Sequence, residues 1–274
     1  LGAGTMGHGI AHAALTAGYE TRLYDVAPAS LASARAAIET IVLKSVELGK
    51  IDRAQSTSLL GRLRTTPELT EALTGTDFVI EAAPERIDVK IALFGQVDAL
   101  APAGAVVATN TSALSITEMA GSISNRARVA GMHFFNPVHK MKLVEIVRAI
   151  ESSQETLEAV EALARRMGKE TVLVRESPGF ITTRVNASIG NEAFYMLMEG
   201  VASARDIDKA LKLGLNHPMG PFELVDLVGL DTRLNILEYL HRSMGEKYRP
   251  CPLLAEYVQA GRLSKKVGRG VYEY

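Results

Sequence analysis

Two ionisable side chains stand twelve residues apart in the stretch GMHFFNPVHKMKLVEIV (131–147). His133 closes one apolar run, Glu145 lies inside the next, and Asn136-Pro137 breaks the chain between them. Because residues that prefer burial flank both groups, they must satisfy one another or a molecule bound between them. A carboxylate on one imidazole nitrogen fixes the ring's tautomer and supports the ring when it takes a proton. A neutral imidazole held in this way is suited to proton abstraction near pH 7.

A second chemistry-bearing stretch opens the chain, LGAGTMGHGIAHAALTAGYETRLYDV, where Gly2, Gly4 and Gly7 frame Ala3, Thr5 and Met6. In this spacing the first glycine makes a tight turn, the second lets a pyrophosphate approach the backbone, and the third lets the following helix pack on a sheet. The helix N-terminus then faces the phosphates. A helix, a strand and Asp25 follow in the order that a dinucleotide site requires. Asp25 accepts from ribose hydroxyls and repels a 2′-phosphate, which favours NAD over NADP. The strand that should lead into the loop is reduced to Leu1, and the expectation is that the sequence lacks its first few residues.

Positioning these groups calls for a doubly wound, mostly parallel α/β sheet of Rossmann type over the first 175 residues or so. Candidate strands are ETRLYDV (20–26), DFVIEAA (77–83), AVVATN (105–110), RVAGMHF (128–134), LVEIVRA (143–149) and ETVLVRE (170–176). Helices fill the gaps: PASLASARAAIETIVLKSVELGK has Pro28 near its start, and IDRAQSTSLLGRL reads as a shorter second helix. Near SPGFI (177–181) the short β runs stop. Helical periodicity takes over at 179–199, 204–213, 221–226, 231–244 and 252–260. The expected division is a dinucleotide-binding domain over 1–176 and a smaller all-helical domain over 177–274.

With 274 residues, 47% hydrophobic and 22% charged, the chain has the composition of a globular protein with a sizeable core. A formal charge of −1 gives no electrostatic reason to expect nucleic acid or an anionic membrane. The single cysteine, Cys251, excludes an internal disulfide framework. No secretory segment and no long apolar run are present, so the expectation is a cytoplasmic protein. His8 and His12 lie one helical turn apart like a metal pair, but no third ligand accompanies them; packing is the expected role and no metal is expected.

Six blocks in one order resemble the short-chain L-3-hydroxyacyl-CoA dehydrogenases, including the bacterial 3-hydroxybutyryl-CoA dehydrogenases. Besides the glycine loop they are EAAPERIDVK (81–90), NTSALSI (110–116), HFFNPVHKMKLVE (133–145), SPGFITTR (177–184), HPMGPFELVDLVGLD (217–231) and GRGVYEY (268–274). The resemblance covers essentially the whole chain. It implies an NAD-dependent interconversion of an L-3-hydroxyacyl-CoA and a 3-oxoacyl-CoA, with His133 as catalytic base, Glu145 as its partner and Ser112 as a contact to the substrate oxygen. Glu85, Lys90, Ser112 and Asn136 would line the nicotinamide-ribose side, and Asn110 is a further cofactor candidate. Read without the family, Glu85 and Lys90 form a helix-surface pair. Ser112 follows a strand at the edge where doubly wound sheets bind ligands.

One departure lies in the helix after SPGF. Relatives read Phe-Ile-Val-Asn-Arg, with the asparagine near the thioester carbonyl, and this chain has Thr183 there. Thr183 and Asn186 are the two candidates for that contact. Lys44, Lys50 and Arg53 are weaker candidates for coenzyme A phosphates, with solvated helix charge as an equal reading. A homodimer through the helical domain is expected, because LVDLVGL and LLAEYV offer more apolar surface than about a hundred residues easily bury. The alternatives are a gulonate-type sugar-acid dehydrogenase, which would share the His–Glu pair, and a dinucleotide-binding relative without catalysis.

Overall fold

The computed structural model describes residues 1–274 and divides them into two compact units, Leu1–Glu176 and Ser177–Tyr274. The first unit runs α1 (Thr5–Thr16), β1 (Thr21–Tyr24), α2 (Pro28–Glu47), α3 (Arg53–Gly61), β2 (Leu63–Thr66), α4 (Leu69–Leu73), β3 (Phe78–Glu81) and α5 (Ile87–Leu100). It continues with β4 (Val106–Thr109), α6 (Ile116–Ala120), β5 (Val129–Phe134), β6 (Leu143–Arg148), α7 (Gln154–Arg166) and β7 (Glu170–Arg175). Strands β3-β4-β5-β6-β7 form one sheet in that order, and β1 pairs with β2 in parallel. Every pairing in the larger sheet is parallel except β5 with β6. That exception follows from the chain, because the eight residues between β5 and β6 hold no crossover helix and the strand must return beside its predecessor.

The parallel pairs put the carboxyl ends of β3, β4 and β5 on one edge of the sheet. Strand β5 is buried at all six positions, as its VAGMHF run requires. Gly131 at its centre admits α6 closely: a methyl group there would lie 2.5 Å from Ile116 Cδ1 and 2.7 Å from Val147 Cβ. Local signals set the helix starts, with Pro28 in the first turn of α2, an Asp52–Gln55 capping box on α3, and the Ser153 hydroxyl accepting from Thr156 N–H at α7. The sequence reading runs the helix after Lys50 through Leu63, whereas the structure ends it at Gly61 and starts β2 at Leu63. Only Leu63 and Thr66 of that four-residue strand are buried, so it carries no apolar run to announce it.

Leu1 and Gly2 are tied into the sheet region from both sides: Ala82 N–H donates to the Leu1 carbonyl at 2.7 Å and Gly2 N–H to the Tyr24 carbonyl at 2.8 Å. Beyond them lies a cavity of about 380 Å³ lined by β1, β3, the inner face of α1, and Leu163 and Met167. His133, Glu145 and Ser112 are not among its lining residues.

The second unit is helical: α8 (Thr182–Met198), α9 (Ala204–Gly214), α10 (Pro221–Val228), α11 (Leu230–Met244) and α12 (Pro252–Gln259). Its core gathers Phe194, Phe222, Leu230, Leu237, Leu240, Cys251 and Leu254. Two buried carboxylates pin its closing segment. Asp226 accepts from the Val271 and Tyr272 amides and the Tyr274 hydroxyl, while Asp208 accepts from the Phe222 and Glu223 amides and the Tyr272 hydroxyl. Gly270 and Gly220 are the close approaches this needs, since a methyl group would meet Asp226 Oδ1 at 2.1 Å and Asp208 Cγ at 2.3 Å. Burial and then the Asp226 carboxylate push the Tyr274 hydroxyl up to about 12. No helix is long and apolar enough to cross a membrane.

Candidate active site

Strand register builds the centre. In the antiparallel pairing of β5 with β6, His133 stands directly opposite Glu145. Cross-strand neighbours on one face lie close enough to touch, and His133 Nδ1 sits 2.7 Å from Glu145 Oε2. The two residues are 4% and 0% exposed, so the pair is removed from bulk water. An ionised carboxylate only accepts, which assigns the proton to Nδ1 and leaves the lone pair of a neutral ring on Nε2. Phe135 packs against the imidazole with ring centroids 4.5 Å apart. The turn that reverses the chain contains the cis peptide Asn136-Pro137, and Asn136 itself is exposed.

Two loops stand on the same sheet edge. After β4, Asn110 Oδ1 accepts from Phe134 N–H at 2.9 Å, so this buried side chain ties the end of β4 to the residue beside His133. Half-buried Ser112 follows, its amide donating to Glu85 Oε1 at 2.7 Å, and Thr111 Oγ1 donates to the same oxygen at 2.6 Å. After β3, Glu85 is partly exposed. Lys90 corrects the reading of a surface pair: it is 1% exposed. Its ammonium donates to Glu81 Oε1 at 2.7 Å and to the Ala83 carbonyl at 3.2 Å, with Glu85 Oε2 at 3.4 Å. Two hydrogen bonds and one longer ion pair thus tie the Lys90 ammonium to the loop after β3. Glu81, buried at the end of β3 in a run that reads as plain strand, is the residue the sequence reading missed.

The glycine loop fits a dinucleotide. Gly2 has φ +90°, a conformation that favours glycine, and a methyl group on Gly7 would meet the Gly2 carbonyl oxygen at 1.8 Å. Gly4 has open space where a side chain would project, and no side chain caps α1 there, so the first-turn amides of Thr5 and Met6 face outward from a glycine N-cap. Asp25 at the end of β1 braces the loop, accepting from Ala3 N–H at 2.8 Å and Ala27 N–H at 2.9 Å. Each carboxylate oxygen keeps acceptor capacity for a ribose hydroxyl.

The remaining candidates are distributed as follows. In the helical unit, Thr183 and Asn186 are half-buried in the first turns of α8, and neither side chain is spent on a hydrogen bond within that unit. His8 Nδ1 lies 3.0 Å from the Gly4 carbonyl, and His12 meets His139 edge-on with ring centroids 6.4 Å apart. Burial, with help from His139, lowers the His12 imidazole to about 4. No three His, Cys, Asp or Glu side chains are grouped to hold a metal ion. Lys44 pairs with Glu47 on exposed α2, and Lys50 and Arg53 are exposed.

Comparison with known proteins gives matches over the full length of the chain. Residues 1–177 match the family model described as 3-hydroxyacyl-CoA dehydrogenase, NAD binding domain, and residues 179–274 match that of the 3-hydroxyacyl-CoA dehydrogenase C-terminal domain. The chain is 46% identical to a probable 3-hydroxybutyryl-CoA dehydrogenase of Bacillus subtilis, covering 100% of this chain and 95% of that protein. It is 42% identical to the 3-hydroxybutyryl-CoA dehydrogenase of Bradyrhizobium diazoefficiens, over 100% and 94%. Among solved structures, (S)-3-hydroxybutyryl-CoA dehydrogenase from Ralstonia eutropha superposes with a TM-score of 0.95 at 42% identity, over 100% and 96%.

Proposed function

The chain belongs to the 3-hydroxyacyl-CoA dehydrogenase family, and from that premise we propose that His133 is the general base in the NAD-dependent interconversion of L-3-hydroxyacyl-CoA and 3-oxoacyl-CoA. The observation that carries the role is the buried His133–Glu145 pair, set at 2.7 Å by strand register. With Nδ1–H held by the carboxylate, Nε2 takes the proton of the 3-hydroxyl group, and Glu145 stabilises the imidazolium that forms. Bound over the glycine loop, NAD supplies the hydride acceptor. The amides of Thr5 and Met6 meet its pyrophosphate, Asp25 selects a free ribose 2′-hydroxyl, and Glu85 and Asn136 flank the nicotinamide ribose. Ser112 holds the substrate oxygen, and either Thr183 or Asn186 serves the thioester end.

Names of relatives at 40–46% identity support a four-carbon acyl group as the first substrate to test. Oxidation of NADH followed by absorbance with acetoacetyl-CoA is the experiment. Turnover is expected, and a protein that reduces no 3-oxoacyl-CoA while oxidising gulonate with NAD would overturn the reading. The same proposal places the enzyme in the cytoplasm, as a homodimer joined through its helical unit. The exposed Leu227 and Val228 at the end of α10 and Leu213 and Leu215 at the end of α9 support that association.

A further inference from the structure

The geometry points to Glu81 as the positioning residue that sets both ligand-facing loops at once, an inference that deepens the proposed dehydrogenase reading and rests on it. Glu81 is fully buried, and each of its carboxylate oxygens is engaged. Oε1 accepts from Lys90 Nζ at 2.7 Å and from Ala83 N–H at 2.5 Å, and Oε2 accepts from Thr109 Oγ1 at 2.6 Å. Its backbone carbonyl accepts from Asn110 N–H at 2.7 Å. One residue therefore fixes the start of the loop after β3 and the start of the loop after β4. Thr109 Oγ1 in turn accepts from Thr111 N–H at 3.2 Å.

The arrangement has a direction. Glu81 holds the Lys90 ammonium, Lys90 places one donor toward Glu85, and Glu85 accepts from Thr111 Oγ1 and Ser112 N–H. The glycine loop touches the same unit, because a methyl group on Gly2 would strike the Ala82 carbonyl oxygen at 2.5 Å. Glu81 touches neither cofactor nor substrate in this scheme. It acts by holding the Lys90 ammonium in place beside Glu85, and Lys90 in turn anchors Glu85 so that it keeps its two bonds to the Ser112 loop.

Glu81→Gln keeps the size and removes the charge. Fluorescence titration with NADH should show Kd raised by about tenfold or more, as expected for losing charge-assisted hydrogen bonds, and KM for acetoacetyl-CoA should rise with it. Glu81→Gln/Lys90→Met removes both charges and should return the thermal midpoint toward wild type, since an uncompensated buried charge is gone. Its NADH Kd should stay raised, because Glu85 has lost its anchor; a purely structural pair would recover both quantities. Wild-type NADH affinity in Glu81→Gln, or in the double variant, overturns the inference. If Glu81→Gln does not fold, the double variant alone decides by the same criterion. A wild-type protein that binds NADH but leaves acetoacetyl-CoA untouched would refute the proposed reaction and leave the role of Glu81 to the titration.

Discussion

At the scale of single residues, the proposed chemistry rests on one hydrogen bond, that between His133 and Glu145. His133→Gln should lower kcat by roughly 10²–10⁴-fold while NADH affinity is nearly unchanged, because the imidazole acts on the alcohol and not on the dinucleotide. Stopped-flow turnover with acetoacetyl-CoA and a separate NADH titration check the two halves; full activity would remove His133 from the mechanism. Glu145→Gln keeps the shape and loses the charge that supports the imidazolium, so kcat should fall by roughly 10²-fold or more. A melting temperature that collapses while residual activity stays high would make the pair structural instead. At position 183, Thr183→Asn should give a modest gain in kcat/KM if that position serves the thioester end, and unchanged kinetics would point to Asn186. Either effect is bounded by one neutral hydrogen bond, about 0.5–1.5 kcal/mol.

Elements place these residues through packing that leaves little slack. Gly131→Ala should destabilise the first unit by about 1–3 kcal/mol, because the new methyl group overlaps Ile116 Cδ1 on α6 and Val147 on β6. Chemical denaturation reads this directly, and an unchanged midpoint would mean that α6 shifts freely. Helix α1 carries a pH dependence of its own. The His12 imidazole falls from 6.5 to about 4 on folding, so the unfolded chain binds the proton more readily. Its contribution is therefore present above pH 6.5 and is lost as the pH falls toward about 4. His12→Gln should flatten stability between those limits, as followed by thermal melts; a wild-type slope in that variant would assign the loss to other groups.

For the molecule as a whole, the helical unit sets the expectation of association. Of the two apolar stretches that suggest a dimer in the sequence, LLAEYV is largely absorbed by the unit's own core, with Leu254 fully buried and Leu253, Tyr257 and Val258 packed against it. LVDLVGL leaves Leu227 at 49% and Val228 at 43% exposure. Leu227→Lys should accordingly shift a dimer toward monomer in light scattering at micromolar concentration, whereas the same change at exposed Val26 should not. A wild-type monomer would overturn the proposed assembly.

What the sequence by itself determined was whatever depends on local spacing. The glycine loop with its helix and Asp25, six of the seven strands, the five helices after residue 181 and the His–Glu pair are all readable there, because period, caps and turn residues act over a few positions. The pair was legible because the two apolar runs are joined by a connection too short to hold a crossover helix, so that they return side by side. Tertiary structure decided the rest. Strand β2 exists because β1 offers it an edge to pair with, and not because LRTT favours a strand. Lys90 is a core residue instead of a surface one because Glu81, nine residues back, meets it on folding. Burial and pairing across strands are sums over residues distant in the chain, and no local pattern at Thr109 or Lys90 encodes that their two side chains converge on the Glu81 carboxylate.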